Sequence, residues 1–281
     1  MKGVERFDHA GTRGPLPEPP SPGPVEEYLR GLRSSGRKLL GPYITAGLPG
    51  WVDHVRAVVD AGADTVEIGI PFSDPAMDGP VIQAASEQAL AAGATPASIF
   101  SDLRRLDVDV PLVAMTYYNL PFHMGEERFA GEMVDAGLAA MILPDVPVEE
   151  QGPWRAAADA AGVETVLLAG PITPDDRLRT VCEQSRGYVY GVNLMGITGE
   201  RASVAETSAV LAGRLKAVTD KPVLMGFGVS TPEHAVEVAA PADGVIVGTA
   251  IVRRILDGES PEQIHDFVSS LRAALDAQDS L

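Results

Sequence analysis

Two stretches of the chain place carboxylates where simple packing gives no reason for them. In Thr65-Val66-Glu67-Ile68-Gly69-Ile70 the near neighbours of Glu67 are apolar or lack a side chain. Period-2 alternation sets Val66, Ile68 and Ile70 on one face and Glu67 with Gly69 on the other. A carboxylate on a buried face is costly unless paired or used, and lost solvation moves its pKa toward the working range of an acid or base. A structural ion pair is the competing role. The next residues, Pro71-Phe72-Ser73-Asp74-Pro75-Ala76-Met77-Asp78-Gly79-Pro80, form a stiff loop stocked with prolines. Asp74 or Asp78 could face Glu67 across a pocket, and two carboxylates in unlike environments can divide acid and base work. Asp74 better fits a turn cap, while Asp78 is open to either use.

Two glycine clusters suggest a second chemistry. Gly226-Phe227-Gly228-Val229-Ser230 and Gly248-Thr249-Ala250 each follow an apolar run. Glycines let backbone N–H groups approach an anion, and a helix starting at Thr249 would aim its positive end at one. Together they favour a phosphate site over simple turns. Gly196-Ile197-Thr198-Gly199 reads equally as a mobile lid or as a connector. Tyr190, two residues from Tyr188, shares its face, and a core aromatic is the commoner use. His9, His54, His123, His234 and His265 are scattered, and Cys182 is the sole cysteine. There is no Gly-x-Ser-x-Gly elbow and no P-loop, and Thr231 replaces the third glycine of a dinucleotide fingerprint. No metal, redox or nucleotide cofactor is expected.

The elements that must position these residues follow a regular alternation. Strands are expected at Leu39–Ala46, Thr65–Ile70, Leu112–Tyr118, Ala139–Pro144, Glu164–Ala169, Gly187–Val192, Pro222–Met225 and Gly244–Val247. Amphipathic stretches such as Val52–Val59 and Val204–Val218 lie between them, and Asp-Ala-Gly closes two helices, at Asp60–Gly62 and Asp135–Gly137. Alternating strand and helix implies parallel strands with right-handed crossovers, and about eight units close a (β/α)8 TIM barrel. A doubly wound sheet is the competing architecture. In a barrel, Glu67 points inside, and the loops after the strands gather at the end where such enzymes work. An extra helix before the first strand carries Val25, Tyr28, Leu29 and Leu32 and stops at Gly36. Residues 1–23, crowded with prolines, are expected to be a disordered arm, and residues 24–281 a single catalytic domain.

Composition narrows the partners. Lys and Arg number 22 against 39 Asp and Glu, a formal charge of −17 in 281 residues. That balance excludes a generic nucleic-acid binder or electrostatic membrane attachment, but not a small phosphoester. No apolar run reaches the ~20 residues of a membrane span, and a lone cysteine makes a reducing, cytoplasmic location the expectation.

From Val66 to Gln83, with its Glu67-Ile68-Gly69-Ile70-Pro71-Phe72-Ser73-Asp74-Pro75 core and Asp78-Gly79-Pro80, the chain resembles the tryptophan synthase α subunit family. The resemblance runs from about Leu39 to Ile255 and takes in Tyr117-Tyr118-Asn119, Pro144-Asp145-Val146-Pro147, Thr173-Pro174-Asp175 and the glycine clusters. It implies a (β/α)8 barrel that cleaves indole-3-glycerol phosphate to indole and glyceraldehyde 3-phosphate without a cofactor. It also implies a β-subunit partner in an α2β2 hetero-tetramer. By the same resemblance Glu67 is the acid/base, Asp78 the second catalytic carboxylate and Tyr190 an active-site tyrosine. Gly226, Phe227, Gly228, Gly248 and Thr249 bind phosphate, Tyr43 contacts substrate, and Thr198 with Gly199 belongs to the lid. Leu48, where the family often has aspartate, and Asn193 with Leu194-Met195 depart from its pattern. They keep open a stand-alone lyase releasing free indole, or a weakly active subunit that regulates a β partner.

Overall fold

The computed structural model describes residues 21–192, 204–226 and 228–278. Eight strands among them are hydrogen-bonded in chain order: β1 (Leu39–Thr45), β2 (Val66–Gly69), β3 (Leu112–Met115), β4 (Leu138–Ile142), β5 (Glu164–Ala169), β6 (Val189–Val192), β7 (Val223–Gly226) and β8 (Gly244–Val247). All pairings are parallel, and β8 returns to β1 to close the barrel. The doubly wound alternative is excluded. Helix α1 (Pro24–Ser34) precedes β1, and α2 (Trp51–Asp60) follows it. Next come α3 (Pro80–Ala91) and α4 (Pro96–Leu103), then α5 (Asn119–Met124) and α6 (Glu126–Asp135), before β3 and β4 respectively. The remaining helices are α7 (Gly152–Ala161), α8 (Asp175–Gln184), α9 (Val204–Lys216), α10 (Pro232–Ala239), α11 (Thr249–Leu256) and α12 (Pro261–Gln278).

Strand alternation builds two cores. Val66, Ile68 and their outward-facing counterparts pack against the helices, while Val113, Ala140, Ile142, Leu224 and Ile246 fill the barrel. At the N-terminal mouth α1 closes the interior with Val25 and Leu29, which join the inner cluster. The docking is anchored by Glu164 of β5, whose carboxylate accepts from Val25 N (2.7 Å) and Glu26 N (3.3 Å). A carboxylate beside a helix N-terminus satisfies free N–H groups and complements the helix dipole. Gly23 precedes that helix because a Cβ there would overlap the Glu164 carboxyl group. The last residue of the expected arm is thus buried, and residues 1–20 lie outside the described residues.

Where the elements differ from expectation, polar contacts account for it. β3 stops at Met115 instead of Tyr118, because Thr116 Oγ1 donates to Ile70 O (2.9 Å) and Tyr118 already has helical backbone angles at the start of α5. Gly62 and Gly137 close α2 and α6 at φ +96° and +77°, as their Asp-Ala-Gly context predicts.

Replacing Glu164 with Ala leaves two buried N–H groups without an acceptor. Denaturant unfolding should then show a loss of about 2–3 kcal/mol. A loss below about 0.5 kcal/mol, the range of a neutral surface change, would mean that α1 is held by apolar packing alone.

Candidate active site

Above the packed lower barrel lies a cavity of about 840 Å³ at the C-terminal ends of the strands. It exists because inward positions that could carry side chains hold glycine. A Cβ on Gly69 of β2 would overlap the Tyr43 ring and hydroxyl, and one on Gly226 of β7 would overlap Tyr190. The two glycines thus let both phenols lie flat against the wall. Met115, Leu168, Val192 and Ile246 supply the apolar side of the same space.

Glu67 stands on the floor of this cavity and is 1% exposed. Its Oε1 accepts a hydrogen bond from Tyr188 Oη (2.6 Å), which reaches across the barrel from the residue just before β6. Its Oε2 has no hydrogen-bond partner among the described residues. Among the described residues no cation pairs with it, so nothing there supports the ion-pair alternative. Burial pushes the carboxyl up to about 8, and the Tyr188 bond opposes the rise only in part. A neutral Glu67 therefore carries a proton at pH 7 beside open space. The Tyr188, Tyr190 and Tyr43 phenols are held protonated, first by burial and then by the nearby carboxylates.

Asp78 reaches the cavity from the loop between β2 and α3. Tyr117 Oη donates to its Oδ2 (3.0 Å) and accepts from Met77 N (2.9 Å), so one phenol ties the loop and aims the carboxylate. Phe72 stacks on Tyr117 with ring centroids 5.1 Å apart and holds it in place. Burial raises the Asp78 pKa while the Tyr117 bond lowers it. Asp74 does not line this cavity. It accepts from Ser73 Oγ (2.6 Å), and its carbonyl accepts from Ala76 N, as a turn residue should.

Gly226, Gly228, Gly248 and Thr249 line the same cavity, so the loops after β7 and β8 converge as the glycine clusters predict. Gly228 has φ +69°, a left-handed conformation that glycine adopts without strain. Gly248 caps α11, whose first N–H groups are free to meet an anion. Tyr43, Glu67, Asp78 and Tyr190 complete the set of expected residues found together. Phe227, Thr198, Gly199, Asn193, Leu194 and Met195 lie outside the described residues. Leu48 is buried in the outer core and does not line the cavity.

Three contributors were not singled out from the sequence. Tyr188, read as a core aromatic, is the partner of Glu67, and only its shared face with Tyr190 hinted at this. Tyr117 positions Asp78, a contact between separate strand ends that no local pattern signals. His234 lines the cavity from the first turn of α10, where it reads as an isolated histidine.

A family model described as Tryptophan synthase alpha chain matches residues 29–278. A tryptophan synthase alpha chain of Halorhodospira halophila is 44% identical over 266 residues, covering 90% of this chain and 96% of that protein. The one from Streptomyces coelicolor is 43% identical over 256 residues, covering 89% and 94%. A crystal structure of tryptophan synthase subunit alpha from Legionella pneumophila str. Paris aligns with TM-score 0.84 and 35% identity, over 92% of this chain and 100% of that one.

The raised pKa of Glu67 has a stability consequence. Between about 4.5, its ordinary value, and about 8, the folded protein keeps a proton that the unfolded chain releases. Stability carried by that proton is lost as pH rises through this window. Glu67→Gln removes the titration, so the variant should match the wild type near pH 4.5. It should then become relatively more stable by up to about 1.4 kcal/mol per pH step, levelling off near pH 8. A pH-independent difference in paired thermal melts would show that Glu67 titrates normally.

Proposed function

The chain belongs to the tryptophan synthase alpha chain family, and from that premise we propose how its cavity performs the family's carbon–carbon cleavage. The substrate is indole-3-glycerol phosphate, and the products are indole and glyceraldehyde 3-phosphate. The observation that carries the assignment of roles is one shared cavity, in which the unpartnered Oε2 of Glu67 and the Asp78 carboxylate face the converging glycine turns.

The bond from indole C3 to the glycerol chain breaks only if the ring can accept its electrons. Neutral Glu67 gives its proton to C3, which converts the ring to an indolenine carrying positive charge at nitrogen. Asp78, ionised and held by Tyr117, offsets that charge. The Glu67 carboxylate then takes the proton of the adjacent hydroxyl. As that carbon becomes the aldehyde, the C–C electron pair moves into the ring and restores indole. Glu67 ends protonated, so the cycle balances with no cofactor. Gly226, Gly228, Gly248 and Thr249 hold the phosphate through backbone N–H groups, and Tyr43 and Tyr190 confine the ring. Phe227, Thr198 and Gly199 complete the phosphate loop and lid in this reading.

The physiological partner is the β subunit, and we place the assembly as α2β2. Residues 24–281 act as one catalytic domain behind the proline-rich arm. Among the described residues no helix is long and apolar enough to cross a membrane, and we assign a cytoplasmic location.

Purified protein given indole-3-glycerol phosphate should release indole slowly alone and much faster with a β subunit. Fast release that a β subunit leaves unchanged would favour a stand-alone lyase, and no release in either condition would refute the assignment. Glu67→Gln should lower kcat by about 10²–10⁴ with folding preserved, the usual worth of a general acid/base. Near-full activity would remove Glu67 from the mechanism.

A further inference from the structure

The cavity poses an electrostatic problem that backbone groups answer only in part. Its described lining includes the acidic side chains of Glu67, Asp78 and Glu237, yet no lysine or arginine. A phosphoester entering it meets acid on several sides. The described lining side chain with a nitrogen that can donate to an anion is His234, which lines the cavity together with Gly228, Val229, Gly248 and Thr249.

His234 is well placed for such a task. It is the third residue of α10, directly after the β7 loop that turns at Gly228. Its backbone N–H is already spent on Thr231 Oγ1 (3.3 Å), which caps the helix, so any contact with a ligand must come from the ring. Nδ1 lies 3.2 Å from Ser230 Oγ. With that hydroxyl donating, Nδ1 is the acceptor and Nε2 carries the proton. Nε2 has no hydrogen-bond partner among the described residues, and the side chain is solvent-exposed at the cavity wall.

We propose that His234 is a phosphate-recognition residue, which donates from Nε2 to the phosphoester oxygens that the glycine turns hold and so sets the preference for phosphorylated over unphosphorylated substrate. The inference rests on the reading of this cavity as the cleavage site for indole-3-glycerol phosphate. Ser230 is its positioning residue, since its hydroxyl fixes which ring nitrogen faces the ligand. His234 follows the β7 loop on α10, and in this reading it takes no part in the proton transfers.

Three measurements on wild type and His234→Gln test this. With indole-3-glycerol phosphate, the variant should raise KM about 3–10-fold, an exposed charge-assisted hydrogen bond, with kcat within about two-fold. With the unphosphorylated indole-3-glycerol, its KM should match the wild type. In calorimetry, glycerol 3-phosphate should bind the variant more weakly by the same factor, and His234→Lys should recover most of the loss. Equal KM for the phosphorylated substrate, or an equal rise for both substrates, would overturn the proposal. Unchanged glycerol 3-phosphate affinity would do so as well, and that readout needs no turnover. Wild type that binds glycerol 3-phosphate through His234 but never releases indole would instead refute the cleavage assignment.

Discussion

The structure depends on one constraint: a carboxyl group sealed inside a barrel with a single donor for company. Glu67 gains one hydrogen bond, from Tyr188, and loses nearly all its water. An ionised carboxylate there would need a cation or several donors, and neither is present among the described residues. The cheaper state is the neutral acid, which is also the state that can deliver a proton to carbon. Burial thus sets the chemistry, and the phenol orients the group without neutralising the effect.

The rest of the barrel keeps that environment and leaves room above it. Below Glu67, aliphatic side chains and the apolar face of α1 fill the interior, with Glu164 pinning the helix that seals the mouth. Above it, Gly69 and Gly226 make space for the rings of Tyr43 and Tyr190 and so leave an apolar slot. Asp78 lines the cavity from a loop that Tyr117 ties down; it is half-buried, and burial raises its pKa while the Tyr117 bond lowers it. Two carboxylates of similar intrinsic acidity meet unlike environments, one enclosed and the other half-buried, and such environments can divide acid and base roles.

Strand positions and the inward direction of Glu67 were legible in the sequence, because period-2 alternation and the β/α rhythm are local signals. So was the convergence of the two glycine turns, once eight units were counted and the barrel closed. Partners were less legible. Tyr188 lies 121 residues from Glu67 and Tyr117 39 residues from Asp78. Such contacts are set by barrel closure and strand stagger. Leu48 illustrates the opposite limit: its loop belongs to the active end, yet the side chain turns into the outer core. His234 had no pattern to announce it, since its role comes from the acidic surroundings into which the fold delivers it.

The cleavage depends on the protonation state of one side chain, and infrared difference spectra of wild type against Glu67→Gln report that state directly. A carboxylic-acid carbonyl band that belongs to Glu67 should be present at pH 7 and should fade with a midpoint near 8. A band that disappears near 4.5, the ordinary glutamate range, would contradict it: Glu67 would then be an anion at neutral pH, and the proton for indole C3 would have to come from elsewhere.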